Sequence, residues 1–387
     1  MKVLHIGHVP VPADHPDISY LPKYCFYPGR WVLNLAIAQK SHGAMKPEII
    51  MQVPGASCPL WSSNVEGVPV HFVGAPTRLR ASTLFYFDAR RLVRLIDRIQ
   101  PDFVHAHGTE EAAAFAAALS RRPAAVTFQG VFALMNKILP PRLISRESLQ
   151  ELAEKIAVRK LKHGIVKSDY GKREIAAIFP HLHLHAIPNT YIPPLVAPSF
   201  TKPADDIVFA GTIVPRKGVH VLVEAIRALA PKRPRLRLHM FGNKDAPGIY
   251  EETQLGALRS ILGDRLILHG IAPKAELDAT LAACRILAAP SFEEMFGNQV
   301  IEALLVGTHV VVSAGTPMEE NVRRFGNGTV FAMGNAEELA NAIESALDTY
   351  SARSAEAAIA NIFDYMSPQR VAEKHLETYE SIIREHQ

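Results

Sequence analysis

At 387 residues, with 48% hydrophobic and 21% charged side chains, the chain is too long for one ordinary α/β domain and too apolar for a disordered or collagen-like polypeptide, so two domains are expected. Its net charge of +4 conceals an uneven distribution: the first 200 residues carry 23 Lys and Arg against 14 Asp and Glu, the remainder 19 against 24. The cysteines Cys25, Cys58 and Cys284 are distant, odd in number and without a C-x-x-C pair, which argues against a disulfide framework or a zinc site and for a reducing compartment.

Residues 1–12 lack the apolar core and cleavage site of a secretory signal, and no run approaches the roughly 18 apolar residues of a membrane span. The expected location is cytoplasmic. Basic residues gather at 78–98, at Arg121 and Arg122, and at 155–167. Two readings of them stay open: solvated helix faces, or attraction to an anionic acceptor or to the inner membrane face as a peripheral contact. No nucleic-acid motif or aromatic stacking set accompanies them, so nucleic acid is not an expected partner.

Along the chain, short apolar runs alternate with longer helical stretches. Strands are expected at 2–6, 48–53, 103–106, 125–128 and 164–166, with helices at 31–41 and 110–119. The strands are continuous apolar runs rather than period-2 alternations, the pattern of parallel sheets buried on both faces. A proline-rich stretch at 187–204 marks the domain boundary. A second series follows, with strands at 206–210, 236–241, 266–268, 286–289 and 310–312, and helices at 218–230, 276–283, 297–306 and 336–347. The last helix, 368–385, repeats Val371, Leu376, Tyr379, Ile382 and Ile383 at helical spacing. The expected domains are 1–195 and 200–365, with 366–387 packing back on the first. Ligands of such sheets bind beyond the carboxyl ends of the strands, here in a cleft between two Rossmann-like halves.

The densest chemistry lies in Pro290-Ser291-Phe292-Glu293-Glu294-Met295-Phe296-Gly297-Asn298-Gln299-Val300-Ile301-Glu302-Ala303. A strand ends, a loop presents a carboxylate, Phe-Gly opens a helix, and a second carboxylate follows eight residues after the first. Free N–H groups at a helix start face an anion or a ring of hydroxyls, and each carboxylate can accept from sugar or ribose hydroxyls at about 1.5–3 kcal/mol per charged hydrogen bond. For an isolated pair of glutamates, a helix cap and a solvated face would explain the same residues.

This pattern resembles the E-x7-E signature of the retaining GT-B glycosyltransferases of family 4. The resemblance continues at Gly211-Thr212-Ile213-Val214-Pro215-Arg216-Lys217-Gly218, at 263–270 and at Phe325-Gly326-Asn327-Gly328. It is looser at Pro101-Asp102-Phe103-Val104-His105-Ala106-His107, at Ser168 and at Ile187-Pro188-Asn189. It implies a GT-B fold, two Rossmann-like domains with parallel sheets facing across a cleft, and a donor site in the second half. Lys217 would contact the diphosphate, Glu294 the transferred sugar and Glu302 the ribose. Gly211, Thr212, Phe296, Gly297, Asn298 and Gln299 would line the donor. The co-substrate would be a nucleotide diphosphate sugar and the acceptor a glycan or lipid-linked hydroxyl, with no cofactor and no metal.

Two residues depart from the family pattern. Thr212 stands where many members have arginine, leaving Arg216 to supply a guanidinium. Gln129, in Thr127-Phe128-Gln129-Gly130, stands where many have histidine. Glutamine donates and accepts hydrogen bonds but takes no proton at pH 7, so His107 is the alternative imidazole. Two rivals keep the fold: a nucleotide-sugar epimerase, and a non-catalytic sugar-nucleotide binding module. The long loop 9–29 reads as an active-site loop. The stretch 132–143 reads as a membrane-docking or acceptor-gating segment, or equally as a buried connector. His181, His183 and His185 alternate on one strand face, with metal binding the less favoured reading.

Overall fold

A computed structural model describes residues 1–11, 29–56, 58–109, 111–138, 145–202, 205–242 and 248–387. Cys25, most of the expected loop 9–29, the end of the stretch 132–143 and the prolyl residue at 203 lie outside them. The chain divides into two compact units, Met1–Thr190 with Met366–Gln387, and Tyr191–Tyr365.

The first unit is built on eight strands: β1 (Lys2–Ile6), β2 (Lys46–Pro54), β3 (Leu60–Val65), β4 (Val68–Ala75), β5 (Phe103–His107), β6 (Ala124–Thr127), β7 (His163–Val166) and β8 (His183–Ala186). Their order is β3-β4-β2-β1-β5-β6-β7-β8. All pairings are parallel, as expected, except the edge hairpin of β3 with β4. This hairpin turns through Glu66 and Gly67, both at positive φ (50° and 82°), the two-residue geometry that matches strand twist. The Asn64 side chain accepts from the Gly67 N–H at 2.7 Å. The alternating exposure of β3 is the solvent-edge pattern that a search for continuous apolar runs passes over.

In the second unit, β9 (Asp206–Ala210), β10 (Arg237–Phe241), β11 (Leu266–Gly270), β12 (Ile286–Ala289), β13 (His309–Ser313) and β14 (Gly328–Phe331) form one parallel sheet in the order β11-β10-β9-β12-β13-β14. This is the doubly wound order, in which the strand sequence reverses at the centre. The reversal falls between β9 and β12 here, and between β1 and β5 in the first unit. Beyond those strand ends a crevice opens because consecutive connections run to opposite faces. Helices Ile249–Leu262, Pro317–Phe325 and Ala352–Tyr365 add to those expected.

Residues 191–202 of the proline-rich stretch belong to the second unit. Tyr191 packs on Phe363 with ring centroids 5.0 Å apart, the Leu195 N–H donates to Asp278 at 2.8 Å, and Lys202 donates to the Ala282 carbonyl at 2.9 Å. The C-terminal helix Pro368–His386 buries Val371, Tyr379 and Ile382 in a cluster with Val3, Leu35, Phe103 and Ile165 of the first unit. Among the described residues, no helix is long and apolar enough to cross a membrane.

Candidate active site

In the second unit, two loops at the carboxyl ends of β9 and β12 lock together. After β9 the chain passes Gly211 and Thr212, makes a single tight turn at Pro215–Lys217, and reaches Gly218 at φ +69°. A Cβ at Gly218 would stand 1.9 Å from the Pro290 carbonyl oxygen, so only glycine permits this approach. The Phe292 N–H then donates to the Arg216 carbonyl at 2.8 Å. Gly297, at φ +79°, opens the helix Asn298–Leu305 without a side-chain cap, and a Cβ there would meet Met318 at 2.6 Å. Asn321 holds the Phe296 carbonyl at 2.8 Å.

This framework brings Lys217 onto Glu294 as an ion pair whose side chains are each 12% exposed. Gln299 donates to the same Glu294 oxygen at 3.0 Å. Lys217, Glu294 and Gln299 are therefore one cluster, assembled at a helix start. Arg216 points elsewhere, to Glu293 at 3.4 Å. Sequence reading passed over Glu293. It is buried, and burial raises its carboxyl above the ordinary range against the pull of Arg216. Glu302, in the second turn of the helix, lies 3.8 Å from Lys274, with burial pushing its carboxyl up. Thr212, in the loop after β9, and Asn298, the first residue of the helix, are half-buried.

In the first unit, the strand ends carry a buried polar network. His107, at the end of β5, meets His5 of β1 at 2.9 Å. His5 meets the Gln39 oxygen at 2.7 Å, and the Gln39 amide donates to the Tyr379 hydroxyl at 3.1 Å. Tyr379 meets His105 at 2.6 Å, and His105 meets Thr127 at 2.6 Å. The Gln39 oxygen can only accept, so the His5 Nε2 carries a proton and its Nδ1 accepts from His107 Nε2. His107 Nδ1 is then a bare acceptor, and it has no partner among the described residues. Gln129, at the end of β6, accepts from Lys167 through its oxygen, and its amide nitrogen is likewise unpartnered. No local pattern announces Gln39, Tyr379 or Lys167, which reach the network from separate elements.

Burial holds His5 and His375 down to about 4, and His105 and His107 well below the ordinary imidazole value. In the unfolded chain these rings protonate near 6.5, so between pH 6.5 and 4 the unfolded state binds more protons. The stabilisation is thus fully present above about pH 6.5 and is lost as pH falls toward 4, by roughly 3 kcal/mol for His5 and for His375. Urea unfolding from pH 7.5 to 4.5 should show this decline. A flat profile across that window would contradict a neutral histidine core.

Several expectations about other segments need revision. His181 precedes β8 and meets the Val158 carbonyl at 3.2 Å, so the three alternating histidines do not share one strand face. Instead His163, His183 and Glu385 bring possible metal-ligand atoms within 4.8 Å of one another. The described part of the stretch 132–143 is a helix, Phe132–Ile138, with Ala133 and Leu134 buried.

Residues 198–362 match the model of the family described as glycosyl transferases group 1, and residues 29–191 that of glycosyltransferase family 4. The D-inositol 3-phosphate glycosyltransferase of Stackebrandtia nassauensis is 31% identical over 176 residues, covering 40% of this chain and 40% of that protein. The chain thus aligns with two fifths of the length of this relative. Among solved structures, sucrose-phosphate synthase from Thermosynechococcus elongatus matches with a TM-score of 0.78 at 18% identity over 99% of both chains. Anabaena HepE in complex with UDP-glucose matches with a TM-score of 0.69 at 18% identity, over 98% of this chain and 100% of its own. Both family models fit in sequence order over most of the chain, each on one doubly wound unit, and the chain belongs to the GT-B glycosyltransferases of family 4, with a group 1 second domain.

Proposed function

We propose that the protein transfers a glycosyl group from a nucleoside diphosphate sugar to a hydroxyl of a glycan or lipid-linked acceptor, with retention of anomeric configuration and without a metal. The observation that carries this reading is the Lys217–Glu294–Gln299 cluster beside the uncapped start of the helix Asn298–Leu305. A fixed cation and helix N–H groups match a departing diphosphate, and charge aimed at a developing anion is often the largest catalytic contribution. Glu294 suits hydrogen bonds from the sugar hydroxyls, and Glu302 those from the ribose. In the transfer, the acceptor oxygen bonds to the anomeric carbon as the bond from that carbon to the diphosphate oxygen breaks. The acceptor's proton passes to the leaving phosphate. Retention then follows from departure and attack on one face, with Glu294 positioning rather than attacking. That HepE was solved with UDP-glucose supports a donor of this class.

The test is thermal stability in the presence of UDP, GDP, ADP and TDP and their sugar conjugates. A ligand at 100 times its dissociation constant adds about 2.7 kcal/mol, and one base should give a clear upward shift. No shift with any nucleotide would sink the donor-site reading. A nucleotide sugar that binds but is never consumed with any acceptor would favour the non-catalytic module, and its isomerisation without an acceptor would favour the epimerase.

A further inference from the structure

The first unit contains a cavity of about 250 Å³ at the ends of β1, β5 and β6, lined among others by Trp31, Gln52, His107, Glu111, Gln129 and Gln150. It is smaller than the roughly 300–1,000 Å³ pockets of larger ligands, a size suited to one ring rather than an extended chain. Three of its lining side chains carry a buried polar atom with no partner among the described residues: Gln52 Nε2, Gln129 Nε2 and His107 Nδ1. Buried polar atoms are nearly always satisfied, and three orphans around one cavity call for a ligand or ordered water.

Their polarity is set by groups behind them. The Gln52 oxygen accepts from Arg80 at 2.6 Å, and the Gln129 oxygen accepts from Lys167. Each amide is therefore turned by a cation so that its NH₂ is the unused end. The His5–Gln39 chain leaves His107 Nδ1 as an acceptor. Two donors and one acceptor are what a ring of hydroxyls satisfies, since each hydroxyl both gives and takes a hydrogen bond. Trp31 and Ile6 supply apolar wall for the C–H faces of such a ring.

The charges around the cavity are already committed. Arg80 is held by Asp88 at 2.7 Å and by Glu111 at 2.8 Å. Lys167 binds Gln129 and lies 5.6 Å over the Trp31 ring. His8, also on the wall, is held below its ordinary range by burial. Glu111, its carboxylate paired with Arg80, is itself a lining residue and disfavours a phosphate.

We infer that this cavity is the acceptor subsite and takes one uncharged polyhydroxylated ring, a sugar or cyclitol, in preference to its phosphorylated counterpart. The inference rests on the transferase reading and names its acceptor class. It sets this chain apart from the relative whose name specifies D-inositol 3-phosphate.

The test is ligand-observed NMR on the full chain with UDP present, using glucose and myo-inositol against glucose 6-phosphate and myo-inositol 1-phosphate. At least one neutral ring should bind, at least tenfold more tightly than its phosphate. Gln52→Glu, which keeps an oxygen for Arg80 but removes the NH₂ donor, should weaken the neutral ring about tenfold or more, while the thermal shift with UDP stays as in the parent protein. Gln129→Glu provides the second reading of the same loss. Preference for a phosphate, neutral binding unaffected by both variants, or no ring binding at all would each overturn the inference. Absence of any nucleotide shift would instead remove the donor reading and leave ring binding to be judged by itself.

Discussion

Lys217→Met is expected to lower turnover by about 10²–10³-fold, the loss typical when one fixed group that stabilises a developing anion is removed. Methionine keeps the aliphatic stem and deletes the charge, so the effect isolates electrostatics from packing. Glu294→Gln should cost at least tenfold, because the amide still offers one oxygen to sugar hydroxyls but loses the negative charge that orients Lys217. Stability needs its own measurement. The pair is 12% exposed at each end, and breaking it strands a largely desolvated charge, at somewhat less than the roughly 3–5 kcal/mol of a fully buried pair. The Gln299 amide remains to satisfy Glu294. The double variant Lys217→Met/Glu294→Gln leaves no orphaned charge, so it should recover stability relative to Lys217→Met without recovering turnover. Full activity in both folded single variants would exclude the cluster from the chemistry.

Gly218→Ala should be among the most destabilising single changes in the second unit, by more than about 4 kcal/mol. Two effects combine. The backbone sits at φ +69°, where an alanine costs about 1 kcal/mol. The larger effect is the 1.9 Å approach of the new Cβ to the Pro290 carbonyl oxygen, a backbone atom that cannot rotate away. Relief requires the loop after β9 to part from the loop after β12, which would also break the Phe292–Arg216 hydrogen bond and draw Lys217 off Glu294. A melting temperature lower by about 10 °C is expected for a unit of this size. Gly43→Ala is the control: it sits in the left-handed region, with a φ of +85°, but a Cβ there meets nothing within 4 Å. It should lose only the conformational part, about 1 kcal/mol. Equal melting of the two variants would show that the loops are not so closely apposed.

These residues also mark where sequence reading reached and where it stopped. The loop after β12 was legible as local structure because its elements are close in the chain: strand, Pro290, carboxylate, Gly297 and helix follow within 14 residues, and helical periodicity fixes the register of Glu302 on the helix begun at Asn298. The alternation of strands and helices was legible for the same reason, since buried parallel strands are continuous apolar runs. Edge strands and amphipathic helices of mixed composition were not. β3 alternates, and the helix Pro317–Phe325 is largely polar outside its buried stripe.

The partnerships required the tertiary structure. Lys217 and Glu294 are 77 positions apart, and Gln39 and Tyr379 are 340 apart. Arg216 follows the same turn as Lys217, yet it faces Glu293. Periodicity tells which face of an element is buried, because burial is set within a few residues. It says nothing of which buried polar groups meet, because that depends on strand order, and the reversals at β1–β5 and β9–β12 bring together ends that are remote in the chain. The sequence alone thus determined the two-unit α/β plan and the strand-loop-helix that carries Glu294 and Glu302. Tertiary packing decided that Gln52 and Gln129 turn their amides away from their cations and that His107 keeps a bare nitrogen, since each orientation is fixed by a hydrogen bond to a residue from another element.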